Sequence, residues 1–373
     1  MKKFKYYLVL AFSLTATVML SQIEVYVSSV LDSTIKEYTE DGTYVGNFIE
    51  PFAGGLNRPQ SLIFMNDGTA ITTGFLNSQI KQYDGETGAF IGNFSSGYSL
   101  TFPTRMRIGT DNLIYVLQND ATINKVVRFD LNGNFVDEFT SVGIPGAVGM
   151  DWDDAGNLYV ASFGGAVDGF VQKFDPSGND LGVFIDSTIL QGPTSIWFNN
   201  NGDLLVMDWA DGIVRRFDSN GQYIDDFITG LMNPEGFAFL PNTTGNTLLI
   251  GDRGSDTVEH FDEFGNYIGV FTSGNNLEDP NAIVVRDPTL SVTDNKNDVV
   301  FVWPSVGRLF YFNNKNTMKL ESVDIYNSHG QLIDSVNLLE EISWNASGYS
   351  EGVYIIVGTI NGTRVTQKIV VKK

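Results

Sequence analysis

Asp208, Glu235, Asp252 and Asn281 fall at two recurring positions in consecutive stretches of a repeated sequence, Asp208 in one, Glu235 and Asp252 in the next and Asn281 in the last. Carboxylates joined by an amide oxygen are the ligand types that calcium and similar hard cations take. The four are therefore candidates for a divalent-cation site, and a cation there would support hydrolase or lyase chemistry. Gln60 stands at the same position as Glu235 and Asn281 in another stretch and is a candidate ligand-binding residue. Arg105 is the basic side chain expected beside this set, with Arg253 close by. Either would hold an anion or pair with the acids.

Other chemistries lack their residues. The chain has 2 histidines, His260 and His329, and no cysteine. A Ser-His-Asp triad, histidine acid–base work and a histidine-rich metal site have too few parts. His260 falls in the third strand of its stretch, away from the expected mouth, and His329 in a turn near the C-terminus. The run from Asp151 to Asn157 (DWDDAGN) has the acidic density of a calcium loop. It lacks the distal glutamate and coincides with a hairpin turn of the repeat, so it reads as a turn. Two readings remain. One is a non-catalytic binding or surface-interaction module, which the missing catalytic constellation favours. The other is a metal-dependent hydrolase or lyase working through the four oxygens.

The elements that must hold these residues come from an internal repeat. Its clearest half is an aromatic, usually Asp, a Gly, and a strand ending in Phe, as in FDLNGNFVDEF (129–139) and FDSNGQYIDDF (217–227). The closing Phe48, Phe94, Phe139, Phe184, Phe227 and Phe271 are spaced by 46, 45, 45, 43 and 44 residues. Two further strand-like segments precede each copy. One is led by Pro59, Pro103, Pro193, Pro234 or Pro280, and the other follows a polar turn, as in GNLYVA. In the fourth copy Pro145 comes two residues early. Four short strands in about 45 residues, separated by Gly/Asn/Asp turns, are the pattern of one propeller blade.

Alignment of the copies places Gln60, Thr104, Val148, Thr194, Glu235 and Asn281 after the leading residue. It places Ser29, Gly74, Gln118, Ser162, Asp208 and Asp252 at the ends of the second strands. Both sets are expected where loops meet at one mouth of the channel. The first copy opens with EVYVSS, a second strand without a Pro-led strand before it, and PNAIVV at the far end has no second strand after it. These fragments complete each other. Residues 281–285 are expected to pair with the blade built from 23–48, closing a ring of six blades without open sheet edges.

The period and motif order resemble the NHL-repeat propellers over residues 23–287. The acid-and-amide set resembles, in composition alone, the lactonase-like six-bladed propellers, which hold a divalent metal with Glu, Asn and Asp. That resemblance implies the hydrolase alternative. The streptogramin-lyase type of propeller implies a histidine at the mouth, which His260 does not supply.

The two ends lie outside the repeat. Lys2, Lys3 and Lys5 precede an almost wholly apolar run from Tyr6 to Leu20 that closes on Ser21-Gln22, the order of a secretory signal peptide. Residues 1–22 are expected to be removed, and no later run is apolar for long enough to anchor the mature chain as a helix. A propeller over 23–288 is followed by a polar linker, 289–299, and by residues 300–373, which read as seven or eight strands of a small sandwich. This tail resembles the type A C-terminal sorting domain of the type IX secretion system. The matching residues are Trp303-Pro304, Gly307, the run Val323–Asn327, Gly330-Gln331, Gly352-Val353-Tyr354 and the basic end from Lys368 to Lys373. The resemblance implies the type IX machinery as partner and a secreted or outer-cell-surface location. The expected architecture is all-β, a six-bladed β-propeller with a C-terminal β-sandwich. A net charge of −21 repels phosphate backbones and argues against nucleic acid as a partner. The extracellular ligand is not legible.

Overall fold

In a computed structural model the described residues are 23–199, 201–242, 245–286, 302–303, 306–312, 320–327, 332–338, 343–360 and 363–372. The expected signal peptide and linker lie outside them. The chain falls into two compact units, divided between residues 292 and 293.

In the first unit the repeat becomes six antiparallel sheets of four strands each. The second blade runs Pro59–Phe64, Thr69–Gly74, Gln79–Asp84 and Phe90–Asn93 from the inner strand outward. The first blade is composite. Pro280–Arg286 pairs with Glu24–Ser29, with Val25 opposite Val285 and Val27 opposite Ile283. Thr34–Thr39 and Tyr44–Ile49 complete it. The two sequence fragments therefore join as their patterns require, and the ring of sheets closes.

Four of the six inner strands are entered by a turn through a left-handed residue. Arg58, Phe102 and Asp279, each just before an inner-strand proline, have φ of 54°, 44° and 52°. In the fourth blade Gly146 supplies this turn with φ 69° just before the strand Ala147–Trp152. Glycine takes the left-handed position most cheaply, and it is preceded there by Pro145. The Pro145 carbonyl accepts a hydrogen bond from Ser162 Oγ at 2.6 Å.

Apolar side chains leave both faces of each sheet, so the core is a set of layers between neighbouring blades. Ile71, Ile80 and Phe94 of the second blade pack on Met106, Ile114 and Val116 of the third. The closing layer joins Val25, Val27 and Tyr38 of the first blade to Leu249, Val258 and Phe271 of the sixth.

The glycine of the F-D-x-x-G element locks each blade to its predecessor. Gly42, Gly88, Gly133, Gly178, Gly221 and Gly265 all have positive φ. A Cβ on them would stand 1.9, 1.6, 2.1, 2.0, 2.7 and 2.6 Å from the carbonyl oxygens of Phe271, Phe48, Phe94, Phe139, Phe184 and Phe227. Each of these oxygens belongs to the closing phenylalanine of the preceding blade, and Gly42 carries the series across the ring closure. The aspartate organises the turn: Asp130 Oδ1 accepts from the amides of Asn132 at 2.9 Å and Asn134 at 2.8 Å. Asp175, Asp218 and Asp262 repeat the arrangement. Asp153 does the same with Ala155 and Asn157, so the DWDDAGN run is a turn.

Eight strands of the second unit are described, in a three-stranded and a five-stranded sheet. Phe310, Ile325, Trp344, Ile356 and Ile369 are among its buried core residues. Asp334 Oδ2 accepts from Trp344 Nε1 and Tyr349 OH, both at 2.9 Å.

Candidate functional site at the propeller mouth

All six inner strands slip register just after they begin. Pro59 faces Gly74 and Ser61 faces Thr73, which leaves Gln60 without a partner in the ladder. Breaks at the same level release Thr104, Val148, Thr194, Glu235 and Asn281. A bulge re-aims a side chain that regular pairing would hold against the sheet. The fold uses it six times to build one layer, and five of these residues, Asn281 excepted, line a recess of about 160 Å³.

Polar members of the layer are bound to one another. Glu235 Oε2 accepts from Arg253 Nη1 at 2.6 Å, and Glu235 Oε1 accepts from Asn281 Nδ2 at 2.6 Å. The same Nδ2 donates to Gln60 Oε1 at 2.6 Å, and Arg253 Nη2 donates to Asp279 Oδ2 at 2.7 Å. Burial opposes the charge on Arg253, but the Glu235 and Asp279 carboxylates outweigh it and hold the guanidinium above its ordinary pKa. Thr104 and Thr194 turn their hydroxyls to the carbonyls of Ala147 and Pro234 on the neighbouring inner strands, at 2.8 and 2.9 Å.

One residue further along lies a second layer: Ser61, Arg105, Gly149, Ser195, Gly236 and Ala282. Five are small, and the glycines are required, because a Cβ on Gly149 or Gly236 would stand 1.9 or 1.5 Å from the Thr194 or Asn281 carbonyl oxygen. Arg105 extends into the space they leave. It donates to Gln60 O at 3.0 Å, Ser195 Oγ at 3.2 Å and Glu235 O at 3.3 Å, reaching three other blades. Burial holds its guanidinium below the ordinary arginine value. Arg105 was expected at the mouth beside the acids. It lies a layer deeper and lines a second cavity of about 260 Å³.

Asp208 and Asp252 take a different place from the one expected. Asp208 is fully buried and accepts from the amides of Gln191 at 3.0 Å and Gly192 at 2.9 Å, and from Arg215 Nη1 at 2.5 Å. Asp252 Oδ2 accepts from the Met232 amide at 2.8 Å, and burial raises its pKa. Each ties the end of a second strand to the loop leading into the inner strand of its own blade. Ser29 does so through the Glu278 amide, and Gln118 through the Thr101 amide. Where glycine stands, at Gly74, Asn77 binds the Asn57 amide instead. The shared position that made these acids look like ligands is a staple.

The four oxygens therefore do not fit a calcium ion. Asp208 and Glu235 are paired with arginines, and Asn281 turns its amide nitrogen toward Glu235. Among the described residues no three of His, Cys, Asp and Glu are grouped to hold a metal. His260, on the strand Thr257–Phe261, shares a hydrogen bond with Thr247 Oγ1 at 2.7 Å and takes no part in the recess.

Arg253 apart, the sequence alignment missed the rim. One position beyond the second-strand ends stand Val30, Phe75, Asn119, Phe163, Trp209 and Arg253, all lining the recess. Their backbone amides bind the turn before each inner strand: Phe75 to Arg58 O at 3.1 Å, Phe163 to Gly146 O at 2.9 Å and Trp209 to Gly192 O at 2.8 Å. Phe163 and Trp209 meet edge to face at 5.6 Å between centroids. A shift of one residue in the same alignment brings out three aromatics at equivalent places, which was the available signal.

Six closed four-stranded sheets around such a recess define a β-propeller, and solved structures with this fold resemble it. A chain of a nidogen/laminin complex is 13% identical, with a TM-score of 0.57, covering 70% of this chain and 98% of that one. A protein of unknown function from Bacteroides caccae is 16% identical with a TM-score of 0.55, covering 71% and 99%. Virginiamycin B lyase from Staphylococcus aureus is 15% identical with a TM-score of 0.50, covering 69% and 84%. No curated protein matches the chain. Residues 304–372 match the family of the secretion system C-terminal sorting domain. The chain thus carries a type IX sorting domain behind its propeller and is a secreted or cell-surface protein.

Proposed function

We propose that the chain is a binding protein whose NHL-type, six-bladed propeller seats an extracellular ligand in the mouth recess. On this reading residues 1–22 direct export and are removed, residues 23–288 act outside the cell, and 289–299 link them to the sorting domain at 300–373. The observation that carries it is the division of labour at the mouth. The acids of the floor are engaged with protein partners, while the rim offers half-buried Phe75, Phe163 and Trp209. Aromatic faces beside a shaped recess serve recognition. General acid–base work needs a titratable group free to exchange a proton.

The test is a thermal-shift screen of the mature chain against monosaccharides, short peptides and calcium, since a ligand of the native state raises the melting temperature. The expected result is stabilisation by an organic ligand that Trp209→Ala removes. A rise with calcium that Glu235→Gln removes, or chemical conversion of the bound ligand, would overturn the proposal in favour of the metal-dependent enzyme.

A further inference from the structure

The hydrogen-bonding capacity of the recess is lopsided. Both Glu235 oxygens, the Gln60 amide oxygen and one Asp279 oxygen already accept bonds from within the protein. The orientation of the Asn281 amide is forced, because only its nitrogen can donate to the Glu235 carboxylate. That in turn holds Gln60 with Oε1 toward Asn281 and leaves Gln60 Nε2 without a partner among the described residues. Gln60 is only 9% exposed, and the little it exposes lines the recess. Arg58, also on the lining, makes no ion pair among the described residues. Its backbone is held left-handed at φ 54°, between a bond from its amide to Ser33 Oγ at 3.2 Å and one to its carbonyl from Phe75.

Arg58 and Gln60 Nε2 are thus unspent donors on the lining, Asn281 Oδ1 being a buried acceptor of the floor that finds no partner, in a chain whose net charge is −21. A guanidinium without a carboxylate, on the same lining as a buried amide N–H, matches a planar anion. The lining also carries an aromatic arc of Phe75, Phe163 and Trp209, with Val30 and Val148 beside it. A space of this size admits a single ring: a cavity of about 150 Å³ holds benzene.

Resting on the mouth-binding reading, we infer that the recess takes a carboxylate carried on a six-membered ring, as the free molecule or the end unit of a longer chain. The carboxylate accepts from Arg58 and Gln60 Nε2, and the ring lies on the aromatic arc. A sugar acid and an aromatic acid share this chemistry.

Isothermal titration of the mature chain with D-galacturonate, benzoate and neutral D-galactose separates the sources. At least one acid is expected to bind 10-fold or more tighter than galactose. Arg58→Gln should weaken it at least 10-fold, and Asn119→Asp, which adds a negative charge at the rim, should also weaken it. Both variants should melt with the parent chain. Galactose binding as tightly as the acids, and losing affinity in Trp209→Ala, would overturn the anion inference while the mouth-binding reading stands. Acid binding unchanged in Arg58→Gln and Trp209→Ala would overturn both. Absence of binding by either acid at millimolar concentration, with other rings stabilising the chain, would overturn the inference alone.

Discussion

Replacing Gly88 with alanine tests whether the repeated glycine joins the blades. Gly88 has φ 65°, and its missing Cβ would fall 1.6 Å from the Phe48 carbonyl oxygen of the preceding blade. Gly68 is the control, with φ 85° and nothing within 4 Å of its Cβ position. Left-handed backbone costs an alanine about 1–2 kcal/mol at either site. At Gly88 the carbonyl must also retreat by about 1.5 Å to reach van der Waals contact, which forces two packed sheets apart. Overpacking of that kind adds about 1–3 kcal/mol. Gly68→Ala should therefore cost about 1.5 kcal/mol and Gly88→Ala about 3.5 kcal/mol. Urea unfolding of the mature chain, followed by tryptophan fluorescence, reads the difference. With a slope near 3 kcal/mol/M, the extra 2 kcal/mol moves the midpoint by roughly 0.7 M. Equal midpoints for the two variants would show that the inter-blade contact is not what the glycine serves.

Two more outcomes follow from the same frame. Hydrogen bonds from Asn134 hold the Asp130 carboxyl below the ordinary aspartate range. With the native pKa lowered, the unfolded chain binds more protons, so this contribution is complete above the unfolded value and lost as pH falls through the native one. Asp130→Asn should flatten the fall of the urea midpoint below about pH 4, and an unchanged slope would count against the turn's role. Ile283→Pro breaks the closing strand where it faces Val27. It should cost about 3 kcal/mol or more and produce dimers or aggregates by light scattering, because the strand Glu24–Ser29 gains a bare edge. A monomer of parent stability would refute the closure argument.

The repeat was legible because its signals are local and redundant. A proline that starts a strand, an Asp that caps a turn and a Gly with positive φ each announce themselves within a few residues. The composite blade could be read too, since a fragment lacking its first strand and one lacking its second have a single way to combine. The site was legible in part. Gln60, Glu235 and Asn281 were found together because one bulge recurs at one position. Asp208 and Asp252 were misplaced because a carboxylate stapling a loop has the same type and spacing as one holding a cation. Only the partners, the Gln191, Gly192 and Met232 amides, tell them apart. Arg105 was misplaced by one layer, since the five small residues around it come from five other strands and leave no local trace.

The composite blade also sets a timetable. Among the propeller strands residues 24–29 leave the ribosome first, and their partners at 280–286 come about 250 residues later. Bringing those ends together costs about 5 kcal/mol of chain entropy. It is the contact of longest range in the propeller, the kind that forms late and slows folding. Until it forms, the first-made strand keeps one side open. The chain is thus committed to its ring only when the last inner strand arrives, directly before the segment that carries the sorting domain.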